Sequence, residues 1–233
     1  MNNIIYQPWG GLGDNLQLST IPEVAFNYYG EKKIYISNQN VYRNPEIKKL
    51  VWDNNPFIAG YKDGQLIPNW KIGPNKGHIA SIEEWFSLPP SSKFPKIYYK
   101  YEESTRNYFE DKTFIDFHTS QENANYHYKM IERAKKYVEN LKKEKEVYEV
   151  VFVNQKFENL VGLNLPQYFI SNIFEYCNLI KYCKKIITFF SGNAVLASAV
   201  KQNNSTPQVE VICDLNCFSN KVFVFDNINY IYE

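Results

Sequence analysis

The first third of the chain alternates short apolar runs with segments in which apolar residues recur at helical spacing. Residues 4–6, 33–37 and 57–59 are apolar runs that predict strands. Residues 16–29 carry apolar positions at helical spacing, and a short helix is predicted to begin near Pro45. Strand and helix units with short connections favour a parallel sheet.

The same alternation begins again in the second half of the chain. The predicted strands are residues 113–118, 147–153, 185–190, 209–213 and 222–225, and the predicted helices are residues 130–141, 169–180 and 194–200. A charged and polar segment, residues 102–111, separates this half from the first. We therefore predict an α/β protein of two small Rossmann-like domains, residues 1–108 and 109–233, that face each other across a cleft.

Composition and charge narrow the class of protein. The chain is 44% hydrophobic, which supports a real core, and its formal net charge of +1 provides no overall field to attract nucleic acid. No apolar run approaches the roughly 20 residues that span a bilayer, and the N-terminus has no signal-peptide pattern. The four cysteines lack zinc spacing. We expect a cytoplasmic protein with at most peripheral contact at the inner face of the membrane.

The first candidate functional residues lie in the turn after the first predicted strand. Gly10, Gly11 and Gly13 allow a sharp turn and a close approach to the backbone, and Asp14 is the ionisable residue of that turn. In α/β proteins this position faces the crevice where ligands bind. The residue alone leaves two interpretations open: Asp14 is a catalytic carboxylate, or it caps the first helix.

Other motifs are incomplete. The glycine turn lacks the third glycine of a dinucleotide site, where Leu16 stands, and no carboxylate closely follows Ser37. A nucleotide-dependent oxidoreductase is therefore a weak alternative. The three histidines do not have the spacing of metal ligands, and no Asp-x-Asp stands in a loop. We expect neither a metal nor a cofactor.

Residues 10–22 resemble the N-terminal signature of the ADP-heptose:lipopolysaccharide heptosyltransferases. In that family a Gly-x-x-Gly-Asp turn opens a helix that carries a Thr-x-Pro element, here Gly10 to Asp14 and Thr20 to Pro22. Residues 78–89, 159–162 and 186–199 resemble further segments of the family in the same order. The resemblance implies the GT-B fold, with the acceptor bound mainly by the first domain and the nucleotide sugar by the second.

The resemblance also implies roles for individual residues. Asp14 falls on the family's catalytic aspartate, a general base that takes the proton of the acceptor hydroxyl. The acceptor-side residues would be Gly11, Gly13, Asn15 and His78, and the donor-binding residues would be Thr119, Ser120, Lys129, Ser191, Gly192 and Asn193. A structural role is the alternative for His78, and an ordinary strand-to-helix turn is the alternative for residues 191–193.

The chain departs from the family beside the donor turn. Phe190 and Val195 stand where the family usually has an aspartate and a histidine. The expected function is a metal-independent transfer of a sugar from a nucleotide-diphosphate donor to a bacterial surface glycan of capsule or lipopolysaccharide type. The departures motivate a second hypothesis, a non-catalytic protein that binds a nucleotide or a glycan on the same scaffold.

Overall fold

The computed structural model describes residues 3–65, 77–118, 124–141, 146–153, 163–214 and 222–232, with the backbone alone for residues 124–129. The chain divides into two compact units. Unit 1 comprises Met1–Tyr99 with Lys221–Asp226, and unit 2 comprises Lys100–Asn220 with Asn227–Glu233.

Unit 1 contains a three-stranded parallel sheet in the order β1-β2-β3. The strands are β1 (Ile4–Ile5), β2 (Tyr35–Ser37) and β3 (Gly60–Lys62). The parallel arrangement confirms the prediction, but β3 lies beyond the predicted residues 57–59. Phe57 lies instead in a turn, where its backbone N–H donates to the Asn55 side chain at 3.0 Å, and its ring packs against the rings of Phe26 and Tyr98, at 5.3 and 5.4 Å.

The helices of unit 1 are short. They are α1 (Leu12–Leu16), α2 (Ile21–Tyr29), α3 (Pro45–Lys48), which continues as a π-helical turn Lys49–Asp53, and α4 (His78–Trp85). The single helix predicted for residues 16–29 begins instead at Ile21, after the separate helix α1. Pro22 fits the first turn of α2 because a proline lacks the N–H that has no helical acceptor there.

Unit 2 contains a six-stranded sheet in the order β6-β5-β4-β7-β8-β9, in which every pairing is parallel. Its strands are β4 (Thr113–Asp116), β5 (Val147–Phe152), β6 (Gln167–Ile170), β7 (Lys185–Phe189), β8 (Gln208–Ile212) and β9 (Asn229–Ile231). This is the Rossmann order, and its direction of growth reverses between β4 and β7. In such sheets ligands bind at the carboxyl ends of the two strands that flank this switch point.

Two elements predicted for the second half of the chain are wrong. Residues 169 and 170, predicted as helical, belong to β6, and the helix that follows begins at Ile173 because the Asn172 side chain accepts hydrogen bonds from the next two backbone N–H groups. The last strand is Asn229–Ile231 instead of residues 222–225. The helices of unit 2 are α5 (Arg106–Phe109), preceded by a 3-10 turn Glu103–Thr105, α6 (Ala124–Leu141), α7 (Ile173–Tyr182) and α8 (Gly192–Lys201).

The two faces of the β4 strand meet different helices. Ile115 and Phe117 belong to the hydrophobic cluster that contains the α6 residues Met130 and Ala134. Because strand side chains alternate, the intervening residues point to the opposite face. There the Tyr176 hydroxyl of α7 reaches Asp116, a buried polar position between two apolar ones.

The division into units differs from the predicted boundary after residue 108. Residues 100–109 belong to unit 2. The Glu102 N–H donates to the Asn178 side chain of α7 at 3.0 Å, and the Tyr101 ring lies 6.4 Å from that of Tyr182. These contacts attach the charged segment to unit 2.

Candidate functional site

The glycine turn of unit 1 has a conformation that requires glycine at Gly10. Its φ is +67°, and a Cβ there would lie 2.9 Å from Cγ1 of Val41. The Gly10 carbonyl accepts the Arg43 N–H at 3.0 Å. The turn therefore packs directly on the loop that follows β2.

A buried glutamine joins this turn to α1. The Gln7 side chain donates to the Asp14 carbonyl at 2.8 Å and accepts the Trp9 N–H at 3.2 Å, while its own N–H donates to Asn40 at 2.8 Å. Sequence reasoning missed Gln7, since a polar residue at the end of a short strand predicts a solvated position. These bonds hold the backbone that carries Asp14.

Asp14 combines a backbone hydrogen bond at the start of α1 with partial exposure. Its carboxylate accepts a hydrogen bond from the Gly11 N–H at the start of α1, and the side chain is half-buried. Burial raises the pKa of Asp14, while the Gly11 N–H and the charge of Arg43 oppose that shift. The N-cap residue of α1 is Gly11 and Asp14 lies within the first turn. The Asp14 carboxylate keeps access to solvent, and its raised pKa makes it a stronger base.

Asn15 has a different environment from its neighbour. Its side chain is completely buried, donates to the Gly11 carbonyl at 2.9 Å and accepts the indole N–H of Trp52 at 2.9 Å. Both polar atoms of the amide are thus occupied inside unit 1. We interpret Asn15 as a residue that braces the turn and no longer as an acceptor contact; Gly11 and Gly13 contribute backbone at the same turn.

His78 is the first residue of α4 and is buried. Its Nε2 is hydrogen-bonded to the Gln17 side chain at the end of α1, and its ring packs edge-on against Phe223. Burial lowers the pKa of His78 to about 4, so the ring is neutral at pH 7. These contacts fit the structural alternative for His78.

Glu83 is a buried carboxylate that sequence reasoning overlooked. It accepts the Thr20 hydroxyl at 3.0 Å and the backbone N–H groups of Ser91 and Ser92 at 2.7 and 3.1 Å. Its position in the helical spacing of Ile79 and Ile82 was the available signal. Glu83 connects the Thr-x-Pro element to the segment after α4.

The turn between β7 and α8 lies at the switch point of unit 2. Ser191 caps α8, and its hydroxyl accepts the Asn193 N–H at 3.2 Å. The Ala194 N–H donates to the Ser191 carbonyl at 3.1 Å, and no described residue accepts the Gly192 N–H, which is the kind of helix-end donor that binds anions. The predicted donor residues 191–193 are therefore adjacent at the carboxyl end of β7.

Asp116 is the centre of a buried polar network at the same edge. The network consists of the Asp116 carboxylate and four donors: the Tyr176 hydroxyl, the Asn193 side chain at 2.8 Å, and the backbone N–H and ring Nδ1 of His118 at 3.0 and 2.9 Å. Asp116 is completely buried. Four donors compensate its charge. The sequence prediction placed only Asn193 of this group in a site.

The position of His118 beside Asp116 favours protonation of its ring. Burial opposes the charged ring, but the hydrogen bond and charge of Asp116, with the charge of Glu149, outweigh it and raise the pKa of His118. Burial in turn raises the pKa of Glu149, which the Gln167 hydrogen bond and His118 counteract. A charged imidazole is thereby favoured at the carboxyl end of β4.

The remaining predicted donor residues follow His118 along the chain. Thr119 and Ser120 lie outside the described residues, as does the side chain of Lys129. Their roles stay predictions.

The two departures from the family pattern are apolar contacts in unit 2. Val195 is fully buried within α8, and the Phe190 ring packs near that of Tyr230 at 6.2 Å. Neither residue provides a polar group to a donor. Within the described residues, no cluster of three or more histidine, cysteine or acidic side chains has the geometry to hold a metal ion. None of the helices described there has both the length and the apolarity to cross a bilayer.

Comparisons with known proteins identify the fold. No protein-family model matches the chain, and no curated protein matches it. Among solved structures, the iron-containing dodecameric heptosyltransferase TibC in complex with ADP-D-beta-D-heptose matches with a TM-score of 0.60 at 14% identity, over 97% of this chain and 61% of that one. TibC from enterotoxigenic E. coli H10407 matches with a TM-score of 0.56 at 14% identity, over 90% and 57%.

A third structure matches over most of its own length. The E. coli ADP-heptose lipopolysaccharide heptosyltransferase II matches with a TM-score of 0.53 at 11% identity, over 99% of this chain and 90% of that one. The chain spans about three fifths of the length of TibC. The chain has the α/β fold of the heptosyltransferases, with a parallel Rossmann-like sheet in each unit.

Proposed function

We propose that the chain is a glycosyltransferase that moves a sugar from a nucleotide-diphosphate donor to a bacterial surface glycan of capsule or lipopolysaccharide type, without a metal. The observation that carries the proposal is the half-buried Asp14 carboxylate on a braced glycine turn, in a chain with the heptosyltransferase fold. Asp14 also stands on the catalytic aspartate of the family signature. Unit 1 would bind the acceptor and unit 2 the donor.

The proposed reaction uses Asp14 as a general base. The acceptor hydroxyl gives its proton to the carboxylate as its oxygen forms a bond to the anomeric carbon. The bond from that carbon to the diphosphate breaks, and its electron pair remains on the diphosphate oxygen. The raised pKa of Asp14 supports this role because a stronger base accepts the proton more readily.

Unit 2 would stabilise the charge of the leaving diphosphate. The Gly192 N–H at the start of α8, which no described residue accepts, supports this role, since preorganised donors stabilise developing negative charge. Thr119, Ser120 and Lys129 are proposed to complete the donor site. This arrangement requires no divalent cation.

The first test is turnover by the Asp14→Asn variant. We expect this change to lower kcat about 10²- to 10⁴-fold, the typical contribution of a general base, with donor affinity nearly unchanged. A panel of nucleotide sugars, supplied with bacterial glycan extracts, identifies the donor by thermal shift and then by hydrolysis or transfer. The matched control is Asp63→Asn, an exposed aspartate of unit 1 whose side chain bonds only to Asn38 in the described structure. Full activity of Asp14→Asn would remove the base assignment.

A second candidate function is binding without catalysis. The observation that favours it is the apolar environment of Phe190 and Val195, where the family usually has polar residues. Binding of a nucleoside diphosphate with no turnover of any donor, in the presence of acceptor extracts, would support this candidate over the enzyme.

A further inference from the structure

His118 has one ring nitrogen committed and one available. Nδ1 donates to Asp116 at 2.9 Å, and no described residue forms a hydrogen bond with Nε2. The residue is 7% exposed, and its ring lies nearly perpendicular to that of Phe152. Nε2 is therefore the ring atom that can bind a group from outside the described residues.

The groups that face His118 come from three elements. Asp116 is the last residue of β4, Glu149 lies on β5, and Tyr176 lies on α7, where its hydroxyl donates to Asp116. Both carboxylates favour the charged imidazole. In this protonated form Nε2 carries a hydrogen and is a donor.

The same carboxylate connects His118 to the anion-binding end of α8. One oxygen of Asp116 accepts the His118 ring and the other accepts the Asn193 side chain at 2.8 Å. Asp116 thus holds the ends of β4 and β7 together, across the switch point. An imidazole whose protonation is favoured and the Gly192 N–H of α8, which no described residue accepts, therefore lie at the same edge of the sheet.

We propose that His118 binds the diphosphate of the nucleotide-sugar donor through Nε2, and that Asp116 is the positioning residue that holds the ring. This inference rests on the proposed function and names the basic group of its donor site. A charged N–H donor matches a phosphate oxygen, and it becomes more effective as the bond to the sugar breaks and that oxygen gains charge.

The test is calorimetric titration with ADP, UDP and GDP and with the matching nucleosides. His118→Gln is expected to weaken diphosphate binding at least about tenfold, the effect of a lost charged hydrogen bond, and to leave nucleoside binding unchanged. His118→Lys restores a positive charge and should bind within about threefold of the wild type. The control is Lys184→Gln, an exposed charge at the amino end of β7, which should bind as the wild type does.

The pH dependence separates a charged ligand contact from a structural role. The raised pKa of His118 means that the charge is present at lower pH and is lost as pH rises through that pKa. Diphosphate affinity of the wild type should fall there relative to His118→Lys, whose lysine stays charged. Because both proteins bind the same nucleotide, its own titration cancels in the comparison.

The outcomes distinguish the two proposals. A wild-type protein that binds none of the diphosphates overturns the proposed function and this inference together. Diphosphate binding that is equal in the wild type and His118→Gln overturns only the inference. If the variants do not fold, NMR titration of the wild-type histidine rings decides: the pKa of His118 must rise when a bound diphosphate is added, and an unchanged value overturns the inference.

Discussion

The two units each bury a histidine, and the two rings have opposite charge preferences. His78 in unit 1 and His118 in unit 2 are 4% and 7% exposed, so burial disfavours charge on both. His78 is bonded to a neutral amide, that of Gln17, and its pKa falls to about 4. His118 is bonded to a carboxylate, and its pKa rises. The charge of the partner decides the protonation state when burial is similar.

The aspartates of the two units differ in burial and in the number of hydrogen bonds that each carboxylate accepts. Asp116 is completely buried and accepts four hydrogen bonds, whereas Asp14 is half-buried and accepts the Gly11 N–H. A fully occupied carboxylate maintains the structure around it. A partly exposed one remains able to accept a proton from a substrate. The comparison therefore predicts large stability effects in unit 2 and chemical effects in unit 1.

The largest expected stability effect belongs to Asp116→Ala. Removing the common acceptor leaves the His118 charge and the Tyr176 hydroxyl buried without their partner, which should lower the free energy of unfolding by about 3–5 kcal/mol. Asp14→Ala should cost at most about 1 kcal/mol, the size of a helix-cap contact. Urea denaturation of both variants measures the difference, and equal losses would contradict the contrast between the two carboxylates.

A smaller loss of stability is expected when the pH is lowered, because His78 then becomes protonated. Its folded pKa of about 4 lies below the ordinary 6.5, so the unfolded chain binds the proton more readily. Stability from the neutral ring is complete above pH 6.5 and is lost as pH falls toward 4, by about 3 kcal/mol for a shift of this size. His118 acts in the opposite direction, losing its contribution as pH rises through its raised pKa.

Denaturation of the wild type and His78→Gln between pH 4 and 8 isolates this contribution. The variant lacks the titrating ring, so the stability difference between the two proteins should shrink as pH falls. A difference that stays constant with pH would show that His78 is not held neutral by the fold.

The smallest effects are expected from alanine substitutions at two neighbouring glycines of the turn, Gly10 and Gly11, which should differ in their consequences. Gly10→Ala places a Cβ at positive φ against Val41 and should cost about 1–2 kcal/mol of stability. Gly11 has φ −71°, which alanine adopts freely, but its Cβ would lie 2.5 Å from a carboxylate oxygen of Asp14. Gly11→Ala should therefore displace the carboxylate and lower kcat with little loss of stability. Parallel measurements of kcat and urea midpoint for both variants test this, and similar behaviour of the two would refute it.

Local patterns predicted much of the fold and part of the site. The glycine turn and the turn before α8 are each formed by consecutive residues, so a short sequence motif is enough to predict them and their candidate functional residues. The apolar residues of β6 continue into those of α7, so the local pattern predicts a helix where the structure has a strand. Only pairing with β5 shows that it is a strand.

By itself, the sequence determined the alternation of strands and helices, the turn that carries Asp14, and the cap at Ser191. Each depends on interactions between residues a few positions apart. Tertiary structure alone decided that Asp116, His118, Tyr176 and Asn193 form one network, and that the pKa of His78 is lowered while the pKa of His118 is raised. The physical reason is that the protonation of a buried group depends on which distant side chains surround it, and chain order does not encode that proximity.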